Sequence, residues 1–177
     1  MILKLRILAP IVVIGFTFGF AAASTLWPGP SRTERITMLF KEICVARHFD
    51  RDFGTPDDYG LVDVLDGFRD VVWIDPTTGV FLRLEKAKCT IEAHAPHALS
   101  RPEAEDVLTR LETIVPSALP DLPVDPDAAV GGNSVSKGWL TGPRGSLARW
   151  GVFFAAFPDN PDGDSSWLWI RAPQPDS

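Results

Sequence analysis

The first 23 residues restrict everything after them, because they set the compartment in which the remaining chain folds. Lys4 and Arg6 give a positive start, Ile7 to Phe20 form an apolar run broken only by Pro10, Gly15, Thr17 and Gly19, and Ala21-Ala22-Ala23 place small side chains where a signal peptidase reads. That order of charge, apolar stretch and small residues is a secretory signal. Cleavage is expected between Ala23 and Ser24. The run falls short of the ~20 apolar residues of a membrane span. A retained inner-membrane anchor through residues 7–23 is the alternative, and the membrane is otherwise not an expected partner. No cysteine follows the run closely, so lipid anchoring is not indicated.

Export to the periplasm or the exterior gives meaning to the two cysteines. An even count in an oxidising compartment predicts a bridge, and Cys44 and Cys89 allow one intramolecular pairing. Loss of Lys4 and Arg6 with the signal leaves 15 basic against 23 acidic side chains. That balance excludes nucleic acid, which requires clustered cations. One domain is expected over residues 31–172, after a Pro/Gly linker at 24–30 and before a polar tail at 173–177.

Hydrophobic periodicity predicts an α+β fold: a mostly antiparallel sheet of about six strands with two to three helices on one face. Ser31-x-x-Glu34 has the spacing of a capping box, and Ile36, Leu39, Phe40, Ile43 and Cys44 then form one helical stripe. Thr55-Pro56-Asp57-Asp58 predicts a second helix, directing Tyr59, Val62 and Leu65 inward and stopping near Gly67. Ser100-Arg101-Pro102-Glu103 opens a third, with a stripe at Val107, Leu108, Leu111, Ile114 and Val115 that Pro116 should end. Residues 71–75, 80–85, 87–93, 135–140, 147–157 and 165–171 read as strands. In the third of these Cys89 falls on the inward face, so both cysteines point to one core. Residues 116–133, with four prolines, read as a long loop able to cover a sheet edge or pocket.

The order helix, strands, helix, strands suggests duplicated halves, 31–95 and 100–172. Residues 73–84 align without gaps on 139–150, matching Trp, Gly and Arg, and the helical stripes align at an offset of 68. Phe40-x-x-Ile43-Cys44 and Lys88-Cys89-Thr90-Ile91 resemble small exported bacterial proteins of uncharacterised function. The resemblance covers residues 31–93 and implies no activity.

Candidate chemistry is sparse. Glu92, His94 and His97 form the best metal constellation, although zinc or copper needs three or four ligands. The rival reading is a solvated strand end. Ser134-x-x-Lys137 spells a penicillin-binding pattern, but that chemistry requires both residues on one helix face. Asp159, Asp162 and Asp164 depart from calcium-loop spacing and read better as a turn. Asp50, Asp52, Asp57 and Asp58 read as a solvated connection. Trp167 and Trp169 share one strand face, which makes either a binding platform for a sugar or peptide or part of a strand buried on both sides. The expectation is a cell-envelope accessory or binding module, non-catalytic and without cofactor, that takes a small ligand or an envelope protein. Its groove would be aromatic and screened by residues 116–133. A periplasmic hydrolase or metal enzyme at Glu92, His94 and His97 is the second reading, and a membrane-anchored structural partner the third.

Overall fold

Helical stripes and alternating strands close on one core in the computed structural model, which describes residues 29–64, 71–158 and 165–173. The expected signal, the expected Ala23–Ser24 cleavage position and most of the expected linker lie outside the described residues, as do Asp159, Asp162 and Asp164. The chain divides into two compact units, Met1–Ser31 and Arg32–Ser177, and every element below belongs to the second.

Helix α1 runs from Arg32 to His48 as an α-helix to Leu39, a π-helical stretch over Phe40–Val45, and a final turn at Ala46–His48. Its predicted stripe is buried throughout, from Ile36 to Cys44. A turn of 3-10 helix at Pro56–Tyr59 precedes β1 (Val62–Val64), β2 (Val71–Asp75), β3 (Val80–Glu85) and β4 (Lys88–His94). Helix α2 (Arg101–Ala118) follows. Then come β5 (Val124–Asp125), a 3-10 turn at Pro126–Ala128, β6 (Val135–Thr141), β7 (Trp150–Phe157) and β8 (Ser165–Arg171).

All eight strands form one antiparallel sheet in the order β1-β2-β3-β4-β8-β7-β6-β5. Each half is thus a helix followed by a four-stranded meander, and the halves meet where β4 pairs with β8. Leu82, Ile91, Leu168, Ile170, Val152, Phe154 and Trp139 point to the helices and are buried with Leu39, Ile43, Val107 and Leu111. Cys44 and Cys89 are disulfide-bonded with Cα atoms 5.4 Å apart, tying the π-helical stretch to β4. The bridge is compatible with an extracellular location. No helix among the described residues is long and apolar enough to cross a membrane.

Four expectations are corrected. The sheet has eight strands rather than about six. The helix expected after Thr55 is a single 3-10 turn: Asp58 accepts from Thr55 N–H at 2.8 Å, but Gly60 adopts a left-handed φ of 71° and ends it, and Val62–Val64 pair with β2 instead. Helix α2 passes Pro116 and ends at Ala118. Pro116 lies in the last turn, so its missing N–H deprives only the exposed Glu112 of a helical donor, and Leu119 N–H still donates to Val115 O at 2.8 Å. Residues 116–133 are not continuous loop, because Val124–Asp125 pair with β6.

Helix α2 starts as its sequence signature predicts. Glu103 Oε2 accepts from Ser100 N–H at 2.8 Å and from Ser100 Oγ at 2.7 Å. Burial opposes ionisation of Glu103, yet these bonds and the nearby Arg32 hold its carboxyl below the ordinary value. Glu103→Ala is expected to cost about 1 kcal/mol of folding stability, read as a lower urea midpoint.

Candidate functional site: the open face of the sheet

Both helices cover one face of the sheet, and strand alternation dictates what the other face presents. Cross-strand register arranges it in rows. One row runs Arg83, Thr90, Trp169, Phe153; the next runs Phe81, Glu92, Trp167, Ala155. A third runs Glu85, Lys88, Arg171, Gly151. His94 and Ser165 pair beyond the second row, with Phe157 opposite Ser165.

The predicted shared face of Trp167 and Trp169 is therefore the open one, while Leu168 and Ile170 enter the core. Trp167 is 36% exposed and Trp169 half-buried. Phe153 lies 5.5 Å from Trp169 and Phe157 lies 5.4 Å from Trp167, ring centre to ring centre. Trp139 is buried under the helices and Trp150 stacks on His48 at 5.5 Å, so neither contributes to this surface.

The face is divided lengthwise at the β4–β8 seam. Strands β7 and β8 supply Trp167, Trp169, Phe153 and Phe157. Strands β3 and β4 supply mostly polar side chains, Arg83, Lys88, Thr90, Glu92 and His94, with Phe81 lying 6.1 Å from the His94 ring. Glu92 is held between Arg83, at 3.5 Å, and His94, at 3.0 Å. Thr90, at the centre, is only 2% exposed, and its hydroxyl has no hydrogen-bond partner among the described residues. Such an orphan costs free energy unless something fills its bonding capacity.

Two features shape the margins. The 3-10 turn at Pro126–Ala128 folds over β6: a Cβ on Gly138, an open-face position, would meet Ala128 Cβ at 2.5 Å. Asp125, paired with Arg149, anchors that turn by accepting from Asp127 N–H at 3.0 Å. Part of the 116–133 segment thus packs over the β6 end of this face. At the β3–β4 turn a recess of about 420 Å³ opens beside Trp169, lined by Glu85, Lys86, Lys88 and Arg171. Lys88 Nζ sits 5.9 Å from the centre of the Trp169 ring. The same turn borders a second cavity of about 330 Å³ on the helix side, where Cys44, Arg47 and His48 contribute. Burial lowers the His48 pKa against the opposing pull of Asp50.

The metal constellation is only partly assembled. His94 and Glu92 touch, but His97 packs its ring against Gly79 in the β2–β3 turn. Its carbonyl accepts from Arg32 at 2.7 Å. No group of three or more histidine, cysteine, aspartate or glutamate side chains among the described residues is placed to hold a metal ion. Ser134 and Lys137 also diverge. Ser134 Oγ donates to Val130 O at 2.6 Å, whereas Lys137 reaches Glu112 on α2 at 2.6 Å.

Sequence reasoning missed Phe153, Phe157, Thr90, Lys88 and Arg171. Their only signal was alternation within their own strands, and their convergence depends on β4 pairing with β8. Comparison with protein-family models, curated proteins and solved structures finds no match to this chain, so its functional reading rests on its own residues.

Proposed function

We propose that this chain is a non-catalytic binding module of the cell envelope that holds a glycan across the open sheet face. The observation that carries the reading is the cluster of four aromatic rings on β7 and β8, Trp167, Trp169, Phe153 and Phe157, flanked across the β4–β8 seam by the polar side chains Arg83, Glu92 and His94. A sugar ring has the matching anisotropy: its C–H face packs on an aromatic ring while its hydroxyls point sideways. Trp167 and Trp169 stand roughly 7 Å apart along β8, a spacing set by two residues of extended strand. Arg83, Glu92 and His94 lie beside them to meet hydroxyls. Glu92 is fixed by two neighbours, which suits a positioned hydrogen-bond acceptor more than a proton donor.

Export through the N-terminal segment places such a module where envelope glycans are. The two halves are, on the same reading, descendants of one unit. Ile36, Leu39 and Ile43 correspond to Ala104, Val107 and Leu111 at an offset of 68, and Trp73 and Trp139 each occupy the strand next to an edge. The gapless alignment over 80–84 does not survive, because β7 begins only at Trp150. Divergence then made one half aromatic and the other polar.

The test is co-sedimentation of the purified chain with insoluble envelope glycan. Wild-type protein is expected in the pellet. Trp167→Ala and Trp169→Ala should each weaken binding about tenfold, corresponding to ~1.4 kcal/mol per ring. Wild-type protein remaining in the supernatant, or both variants sedimenting like wild type, overturns the reading.

A further inference from the structure

The recess at the β3–β4 turn differs in charge from the rest of the molecule. Without its first 23 residues the chain carries a net charge of −8, yet Lys86, Lys88 and Arg171 line this recess against the single carboxylate of Glu85, and the two lysines also border the cavity behind the turn. None of the three cations has a carboxylate within ion-pair distance among the described residues. Arg47 adds a fourth positive charge behind the turn. Its guanidinium donates to the Glu85 and Lys88 carbonyls, which fixes the turn without neutralising any charge. The fold holds this arrangement in place. Lys88 and Arg171 are cross-strand partners, and Ala172 N–H donates to Ala87 O at 2.8 Å. Like charges directly opposite one another destabilise a sheet, and although Glu85 faces Lys88 from β3, the row carries a net positive charge that an anion would relieve.

We infer that the recess is an anion subsite, and that the glycan held by the open face carries a carboxylate or phosphate group seated among Lys86, Lys88 and Arg171. This inference rests on the open-face reading, because Trp169 belongs to both: it borders the recess and is the first ring of the platform. An acidic sugar stacked on Trp169 places a substituent toward Lys88 and Arg171, one row along the same strands. Lysine and arginine donors to such a group form charge-assisted hydrogen bonds, stronger than those between neutral partners. Acidic residues elsewhere act weakly on the ligand, since screening at physiological salt extends only about 8 Å.

The experiment compares a tetrasaccharide of uronic acids with its carboxyl-reduced neutral counterpart, and adds a phosphorylated disaccharide and inorganic phosphate. Amide and indole signals of the full domain are followed by NMR. The uronide is expected to bind at least about tenfold tighter than the neutral sugar, with that advantage shrinking in high salt. Lys86→Gln, a change at a recess residue outside the platform, should cut the advantage severalfold while neutral-sugar binding persists. Salt dependence in the wild type gives the same answer should the variant fold poorly. A stronger response to the phosphorylated disaccharide than to the uronide identifies phosphate as the anion, and the reverse identifies carboxylate.

Equal binding of charged and neutral sugars refutes the subsite and leaves the platform standing. Inorganic phosphate shifting residues 85–88 and 171, with no sugar bound, leaves an anion site but refutes both its coupling to a glycan and the platform. No response to any probe removes both.

Discussion

Replacing Asp75 with alanine is expected to lower the unfolding free energy by about 3–5 kcal/mol, because it leaves a buried guanidinium without its counter-charge. Asp75 closes β2 on the helix side with its side chain only 3% exposed, and Arg35 Nε of α1 reaches its Oδ2 at 2.5 Å. Arg35 also donates to the Tyr59 carbonyl, so one guanidinium joins α1, the 3-10 turn and β2. The other carboxylate oxygen accepts from Thr77 N–H at 2.8 Å and from Thr77 Oγ1 at 2.6 Å, which orders the β2–β3 turn. Asp75→Asn keeps an acceptor for Thr77 and should cost less. Replacing Arg35 and Asp75 together by apolar residues of similar volume should recover most of the loss, since a buried pair can be worth no more than good packing.

The same site predicts a pH dependence. Burial opposes ionisation of Asp75, but the Thr77 hydrogen bonds and the Arg35 charge outweigh it and hold the carboxyl below its ordinary value. A depressed pKa contributes stability in full above the unfolded-state value, and that contribution is lost as pH falls through the folded-state value. Urea midpoints of wild type and Asp75→Asn should therefore differ most near neutrality. The gap should begin to close as the pH drops below about 4 and vanish only below the lower folded-state value. A constant gap across that range would contradict the assignment.

Cys44→Ala/Cys89→Ala is expected to cost about 2–4 kcal/mol, mostly by enlarging the unfolded ensemble. The cysteines are 45 positions apart in sequence, so the bridge closes a long loop. Both are buried, Cys44 wholly and Cys89 at 3% exposure, so the alanines also leave small voids. Domains of this kind have only about 5–15 kcal/mol of total stability, which makes either loss a large fraction. The check is denaturant unfolding with and without reductant. Reductant should shift wild type toward the double variant and leave the variant unmoved. A wild type indifferent to reductant would show that the bridge contributes nothing.

These two contributions were not equally legible in the sequence. The cysteines announced themselves because each lay on the inward face of a periodic segment, one helical and one extended. Arg35 and Asp75 carried no local signal; 40 residues separate them, and only the packing of α1 on the sheet edge joins them. The alternating strands β3 and β4 were readable for the same reason as the stripe of α1, and β8 by its continuous apolar run between turn residues. Strands β1 and β5 were not, because three and two residues are too few to show a period and are held by the neighbours they pair with. At Thr55 the local start signal was real, but Gly60 stopped propagation within one turn.

The candidate site was half legible. Alternation put Trp167 and Trp169 on one face of their strand. It could not say which face, because Leu168 and Ile170 opposite them are as apolar, and the choice falls to where the helices pack. The charge of the recess was hidden in composition, since Lys86, Lys88 and Arg171 are dispersed in an acidic chain until β4 meets β8. The metal constellation failed to gather for a related reason: sequence proximity put His97 near His94, and the turn after β4 directs it to Gly79 instead.

The most direct test of the open-face account is an NMR titration of the indole N–H signals with envelope glycan fragments. Signals of Trp167 and Trp169 should move and saturate together while that of buried Trp139 stays fixed, which distinguishes ligand contact from a general loosening of the fold. Movement of Trp139 alone, or stationary Trp167 and Trp169 signals while glycan binds, would place the ligand elsewhere and contradict the account.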